Sequence, residues 1–125
     1  MKSNKHYAYM LRCNDNSIYS GYAIDPIKRV KVHNSGKGAK YTRAHLPVEL
    51  VYYEEFENKS DALRRERELK KYTHLEKEKI IEEYNNRWFK SKLKGMFHVL
   101  YIEHSLFIFT VKFASNLNLR FFRLI

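Results

Sequence analysis

Four residue types in the first 70 positions could together do chemistry. Tyr7-Ala8-Tyr9 is followed, ten residues after Tyr9, by Tyr19-Ser20-Gly21. If these segments lie on neighbouring strands, their phenols are adjacent. Arg29 and His33 stand four residues apart, which on a helix is a single face. Glu66 sits within the helical run Ala62-Leu63-Arg64-Arg65-Glu66. Phenols, a guanidinium, an imidazole and a carboxylate are a set suited to phosphodiester hydrolysis. Each member alone has a plainer explanation. Strand tyrosines usually pack, a helical Arg is usually solvated, and a lone His is more often structural than catalytic. Glu66 could simply pair with Lys70 one turn on, a contact worth about 0.3–0.5 kcal/mol. The weight falls on the ordered combination.

The elements that must position these groups follow from local signals. Tyr7 to Leu11 is an apolar, aromatic-rich run that predicts a strand, and Asn14-Asp15-Asn16-Ser17 predicts a turn. Ile18 to Tyr22 completes a β-hairpin. Asp25 can cap free amides, and Pro26 at the first helical position lacks only an N–H that would go unused. That helix should end near His33 or Asn34, stopped by Ser35-Gly36-Lys37-Gly38. Pro47 to Phe56 predicts a third strand, with Val48, Leu50 and Tyr52 on one face and Val51 and Tyr53 on the other. Ser60-Asp61 should cap a helix reaching Lys71, and Thr73-His74-Leu75-Glu76 has capping-box spacing for another. The expected fold is α/β (α+β), a small, mainly antiparallel three-stranded sheet flanked by helices in the order β-β-α-β-α-α.

At 125 residues and 44% hydrophobic content, the chain can bury the core of one domain. The formal net charge of +10 makes a polyanion, nucleic acid first, the partner to consider. The single cysteine, Cys13, allows no internal disulfide and no cysteine-rich zinc site, which suits a reducing cytoplasm. The polar N-terminus argues against a signal peptide. The longest apolar stretch, Leu106 to Ala114, is interrupted by Lys112 and falls short of the ~20 residues of a membrane span, so no membrane is expected. Composition divides the chain into a domain at 1–85 and a tail at 86–125. The tail holds seven Lys/Arg against one acid, Glu103, and nine of the 19 aromatic residues.

Together, the motifs resemble the GIY-YIG nuclease superfamily. The matching positions are Tyr7-Ala8-Tyr9, Tyr19-Ser20-Gly21, Arg29 eight residues after Gly21, His33 one turn later, and Glu66 on the second helix. The stretch His33-Asn34-Ser35-Gly36-Lys37-Gly38-Ala39-Lys40-Tyr41-Thr42-Arg43 and the segment Ala62 to Lys71 are more narrowly similar to the small stand-alone, YhbQ-like branch. The resemblance spans roughly residues 5–84. Tyr7 stands where the name motif has its first Gly, and Ser20 where it has its middle Ile; neither change removes a reacting side chain. Tyr22 stands where some excision-repair relatives carry a Lys.

The resemblance implies a metal-dependent endonuclease that hydrolyses phosphodiester bonds in nucleic acid, with DNA expected and repair or recombination as the task. Its catalytic residues would be Tyr9, Tyr19, Arg29, His33 and Glu66, with Gly21 structural. Glu66 would be the sole protein ligand of one Mg2+ or Mn2+ ion, an arrangement magnesium tolerates because it keeps its waters. Arg29 would contact the phosphate, and His33 would orient, donate to it or assist proton transfer. Tyr19, helped by Tyr9, would take a proton from water or position that water. Between Arg12 and Arg43, seven Lys/Arg face two acids, so Lys37, Lys40 and Arg43 could hold a nucleic-acid backbone through sequence-independent phosphate contacts. A flexible solvated loop is the plainer reading of that stretch.

The main rival is a non-catalytic nucleic-acid-binding module on the same fold. Against it stands Glu66, because binding alone would not need an acid beside a phosphate site. A third reading is an interaction protein that meets a protein partner through the tail. There Leu106 to Val111 is apolar, β-prone and uncharged, which equally marks an aggregation hazard.

Overall fold

The residues between the first two strands close a tight hairpin. In the computed structural model, which describes residues 4–97, Asp15 Oδ1 accepts from the Ser17 amide at 3.0 Å and from its hydroxyl at 2.6 Å. Asn16 takes the left-handed conformation, φ 69°, which Asn tolerates better than most residues. Strands β1 (His6–Arg12) and β2 (Ile18–Ala23) pair antiparallel, with Tyr9 opposite Gly21 and Leu11 opposite Tyr19.

Helix α1 (Pro26–Val32) begins as its sequence dictates: Asp25 Oδ1 accepts from the Lys28 amide at 3.0 Å, and Pro26 opens the first turn. The chain does not then enter a loop, as expected. It forms a wide π-type turn, His33–Lys37, and one further helical turn, α2 (Lys40–Arg43). Gly36 takes up the change of direction at φ 79°. Asn34 ties the turn down, donating to the Val48 carbonyl at 2.9 Å and accepting from the Val48 amide at 2.8 Å. A single four-residue turn carries no hydrophobic period, and tertiary contacts hold it.

Strand β3 (Glu49–Phe56) adds to the other edge of β1, giving the antiparallel order β2-β1-β3. Its register shifts between Met10 and Leu11: Leu11 faces Leu50, but Met10 faces Tyr52. Val51 is the extra residue of this bulge, and a bulge breaks simple alternation. The expected faces of β3 are therefore corrected. Val48 and Leu50 pack with Tyr9, Leu11, Cys13 and Ala23. Tyr52 joins Val51 in the opposite cluster, with Ala8, Met10 and Ile18. Tyr53 is register-paired with Tyr9 and stays partly exposed.

Helix α3 (Lys59–Lys71) starts earlier than Ser60-Asp61 suggested, because Asn58 caps it, accepting from the Asp61 amide at 2.9 Å. It buries Ala62 and Leu69; a leucine so buried contributes roughly 1.5–3 kcal/mol. Helix α4 (His74–Phe97) opens on the expected capping box, with Glu76 accepting from the Thr73 amide at 2.7 Å and Thr73 Oγ1 from the Glu76 amide at 3.3 Å. Leu69 and Ile81 cover one face of the sheet, while Val30 of α1 packs on the other. The central strand is thus buried on both faces, which is why its apolar run is continuous.

The chain divides into two units, Met1–Asn86 and Arg87–Ile125. In the second, Lys92 Nζ lies 4.2 Å from the centre of the Trp88 ring. The apolar stretch Leu106 to Val111 falls outside the described residues. Among the described residues, no helix is long and apolar enough to cross a membrane.

Candidate active site

Tyr9 projects from the central strand across β2, and Gly21 makes this crossing open. A Cβ at position 21 would fall 2.6 Å from Tyr9 Oη and 3.1 Å from Tyr19 Cε1. With only hydrogen there, the two phenols converge, ring centres 6.5 Å apart. His33 enters from the turn after α1 and meets both, its ring 6.2 Å from Tyr9 and 5.4 Å from Tyr19. Tyr9 is 1% exposed and His33 0%, whereas Tyr19 is only half-buried.

The His33 ring is held at both nitrogens. Nε2 is hydrogen-bonded to Tyr9 Oη at 3.0 Å, and Nδ1 to Thr42 Oγ1 at 2.7 Å. Thr42, on α2, is itself buried and donates to the Ala39 carbonyl at 2.9 Å. Gly38 closes over the ring so tightly that a Cβ there would lie 2.3 Å from Nδ1.

Charge reaches this cluster from two helices. Arg29, one turn before His33, bears on the Tyr9 phenol as a positive charge. Glu66, on α3, acts on the same phenol as negative charge. Burial dominates and pushes the Tyr9 pKa up to about 12, with Arg29 opposing the rise and Tyr19 and Glu66 adding to it. Burial first, and the Arg29 charge second, hold His33 below its ordinary value. At neutral pH the phenol keeps its proton and the imidazole is uncharged.

Tyr9, Tyr19, Arg29, His33, Glu66 and Gly21 are thus brought to one locality. The Glu66 side chain is 16% exposed and pairs with Lys70 Nζ at 2.7 Å, so the plainer helical pairing is also present. Tyr7 turns elsewhere, donating to Glu55 at 2.9 Å. Lys37, Lys40 and Arg43 are exposed on the π-type turn and on α2, the helix whose Thr42 holds His33. Among the described residues, no three His, Cys, Asp or Glu side chains cluster as a metal site would.

Two residues of this locality escaped the sequence reading. Thr42 lies within the stretch from His33 to Arg43, but a buried hydroxyl in a basic segment looks like any solvated one. Gly38 reads as a helix stop, although its constraint is steric.

Residues 5–80 match the GIY-YIG catalytic domain. A UPF0213 protein of Staphylococcus epidermidis is 55% identical over 80 residues, 64% of this chain and 98% of its own. The UPF0213 protein YazA of Bacillus subtilis is 50% identical over 86 residues, 69% of this chain and 87% of its own. Among solved structures, the solution NMR structure of a UPF0213 protein from Bacillus halodurans is 45% identical, covers 62% of this chain and 83% of that one, and has a TM-score of 0.42.

Proposed function

The chain belongs to the GIY-YIG family, and on that premise we propose that it is a metal-dependent endonuclease hydrolysing phosphodiester bonds in DNA, in repair or recombination. The observation that carries this reading is that the Tyr9, Tyr19 and His33 rings converge within 5.4–6.5 Å of one another, with Arg29 and Glu66, on separate helices, both bearing on the Tyr9 phenol. A cation, an anion and a half-exposed phenol around one buried hydroxyl serve a reaction better than they serve binding, since a lone acid beside a phosphate site repels its ligand.

Each residue then has a task set by its surroundings. Arg29 binds the phosphate through charge-assisted donors and is strongest where negative charge builds up. Tyr19, half-buried, orients the attacking water, and it takes that water's proton only as the phenolate, having first lost its own proton to solvent. Tyr9 keeps its own proton at neutral pH and holds Arg29 and His33 in register. Of the tasks open to His33, orientation fits its burial and its two occupied nitrogens. The exposed Lys37, Lys40 and Arg43 hold the backbone on either side of the cut.

The donor set suits a divalent ion: a single, mostly buried carboxylate whose present counter-charge is one lysine matches the sparse protein ligation of magnesium. Glu66 would hold Mg2+ or Mn2+, which when bound supplies positive charge opposite the leaving oxygen. We assign the enzyme to the cytoplasm, which keeps the buried Cys13 thiol reduced. The segment after Asn86 is where a protein partner would attach.

The test is a cleavage panel of single-stranded, duplex, flap and branched DNA with Mg2+ or Mn2+, using Glu66→Ala as control. Metal-dependent cutting that falls at least ~100-fold in Glu66→Ala, with binding kept, supports the reading. Equal cutting by both proteins refutes it, and salt-sensitive binding with no cutting favours the binding module. Deleting residues 87–125 and retesting separates the tail's role from that of the domain.

A further inference from the structure

The hydrogen bonds around His33 have a direction, and one end of the chain fixes it. The Ala39 carbonyl can only accept, and Thr42 Oγ1 donates its one proton to it at 2.9 Å. Oγ1 therefore presents lone pairs, not a proton, to His33 Nδ1 at 2.7 Å. Nδ1 must carry the hydrogen. In a neutral imidazole the other nitrogen is then bare, so Nε2 accepts from Tyr9 Oη at 3.0 Å. The doubly protonated ring is disfavoured, since it would be a buried cation beside Arg29, with no carboxylate on either nitrogen.

We infer that Thr42 is a positioning residue: by donating to Ala39 it fixes His33 as the Nδ1–H tautomer, and it thereby makes Tyr9 the donor to His33. Tyr9 then has no proton left to offer, and its oxygen can only accept, which is what a guanidinium requires. Arg29, whose charge bears on the Tyr9 phenol, therefore faces an oxygen whose lone pairs the Thr42 hydroxyl has oriented through two hydrogen bonds. Gly38 supports the arrangement, because its close approach leaves the ring no room to swing out. The tautomer follows from hydrogen bonding alone, while its consequence for cutting rests on the nuclease reading.

The test uses the full chain labelled with 15N histidine. Two-bond ring couplings in the NMR spectrum at neutral pH should show His33 protonated on Nδ1 and bare at Nε2. Protonation on Nε2, or on both nitrogens, overturns the inference with no variant needed. Thr42→Val removes the acceptor at nearly constant shape and should let the Nε2–H form appear; Thr42→Ser should restore the wild-type spectrum. In cleavage, Thr42→Val should lower kcat between about tenfold and a hundredfold with KM little changed, the size seen when an outer partner of a reacting group is lost. Thr42→Ser should stay within a few-fold of wild type. A kcat unchanged in Thr42→Val despite an altered tautomer would overturn the positioning role. Should Thr42→Val fail to fold, the wild-type and Thr42→Ser spectra still decide. The expected tautomer in a protein that cuts nothing would sink the nuclease reading and leave the tautomer assignment standing.

Discussion

Gly38 lies against the His33 ring so closely that a Cβ on it would sit 2.3 Å from Nδ1, 2.7 Å from Cγ and 2.9 Å from the His33 Cα. Its own φ is −83°, so backbone conformation does not demand glycine there; space does. Gly38→Ala must push the buried ring off Tyr9 and Thr42. The expected cost is about 1–3 kcal/mol, as for other insertions into packed sites, with a parallel loss of cleavage. Gly36 makes the contrast: nothing lies within 4 Å of its would-be Cβ, but its φ is +79°. Gly36→Ala should cost about 1 kcal/mol and leave the cleavage rate per folded molecule unchanged. Urea unfolding and single-turnover cleavage separate the two. A Gly38→Ala variant as stable and active as wild type would show that the close approach is no constraint.

These two glycines also show what a sequence can and cannot reveal. Both read as helix breakers, and breaking is a local property visible in residue type. Local signals of the same kind placed the Asp25 cap, the hairpin turn and the Thr73–Glu76 capping box correctly. What failed were features decided by distant contacts. Asn58 and Ser60-Asp61 offer rival caps within a few residues, and only the packed helix chooses Asn58. The bulge that turns Val51 and Tyr52 to one side depends on pairing with Met10 and Leu11. The turn α2 exists because Thr42 meets His33, and neither residue type announces the meeting. The convergence of Tyr9, Tyr19, Arg29, His33 and Glu66 came from their order, which a family resemblance can carry and periodicity cannot.

The two phenols should respond differently to loss of the hydroxyl. Tyr19 is half-buried and has proton-handling as its proposed task, so Tyr19→Phe should lower the cleavage rate at least ~100-fold while binding and stability stay near wild type. Tyr9→Phe strips the buried His33 Nε2 of its partner and should also destabilise the fold, by about 1–3 kcal/mol. Parallel unfolding and binding measurements on both variants check this. Equal stability losses would mean that the phenols share one structural role.

His33 should make the fold acid-sensitive. Its folded-state pKa is depressed by burial and then by Arg29, while the unfolded side chain titrates near about 6.5. Below that value the unfolded chain binds the proton first, so stability is fully present above it and is lost as pH falls toward the folded pKa. Wild type should lose more stability than His33→Gln between about pH 7.5 and about pH 5.5, a window above the carboxylate range. Denaturation midpoints at the two pH values give the slopes. Identical slopes would mean that the ring is protonated as readily in the fold as in the open chain.

Lys37, Lys40 and Arg43 should act through charge and not through shape. All three are exposed, so replacing each with Ala should change stability by less than about 0.5 kcal/mol. If they grip backbone phosphates, each neutralised charge releases counterions, and the dependence of log K on log salt should flatten by roughly 0.7–1 per residue removed. The loss should be alike for every sequence, because phosphate contacts carry no base information. Cleavage at saturating DNA should survive, since none of the three touches Tyr9 or His33 through the hydrogen bonds that fix the site. Titrations of fluorescent oligonucleotides at several salt concentrations, for wild type and each variant, measure the slope directly. Slopes unchanged in all three variants would move the nucleic-acid path off this turn and helix, while a rate lost at saturation would move these residues into the reaction itself.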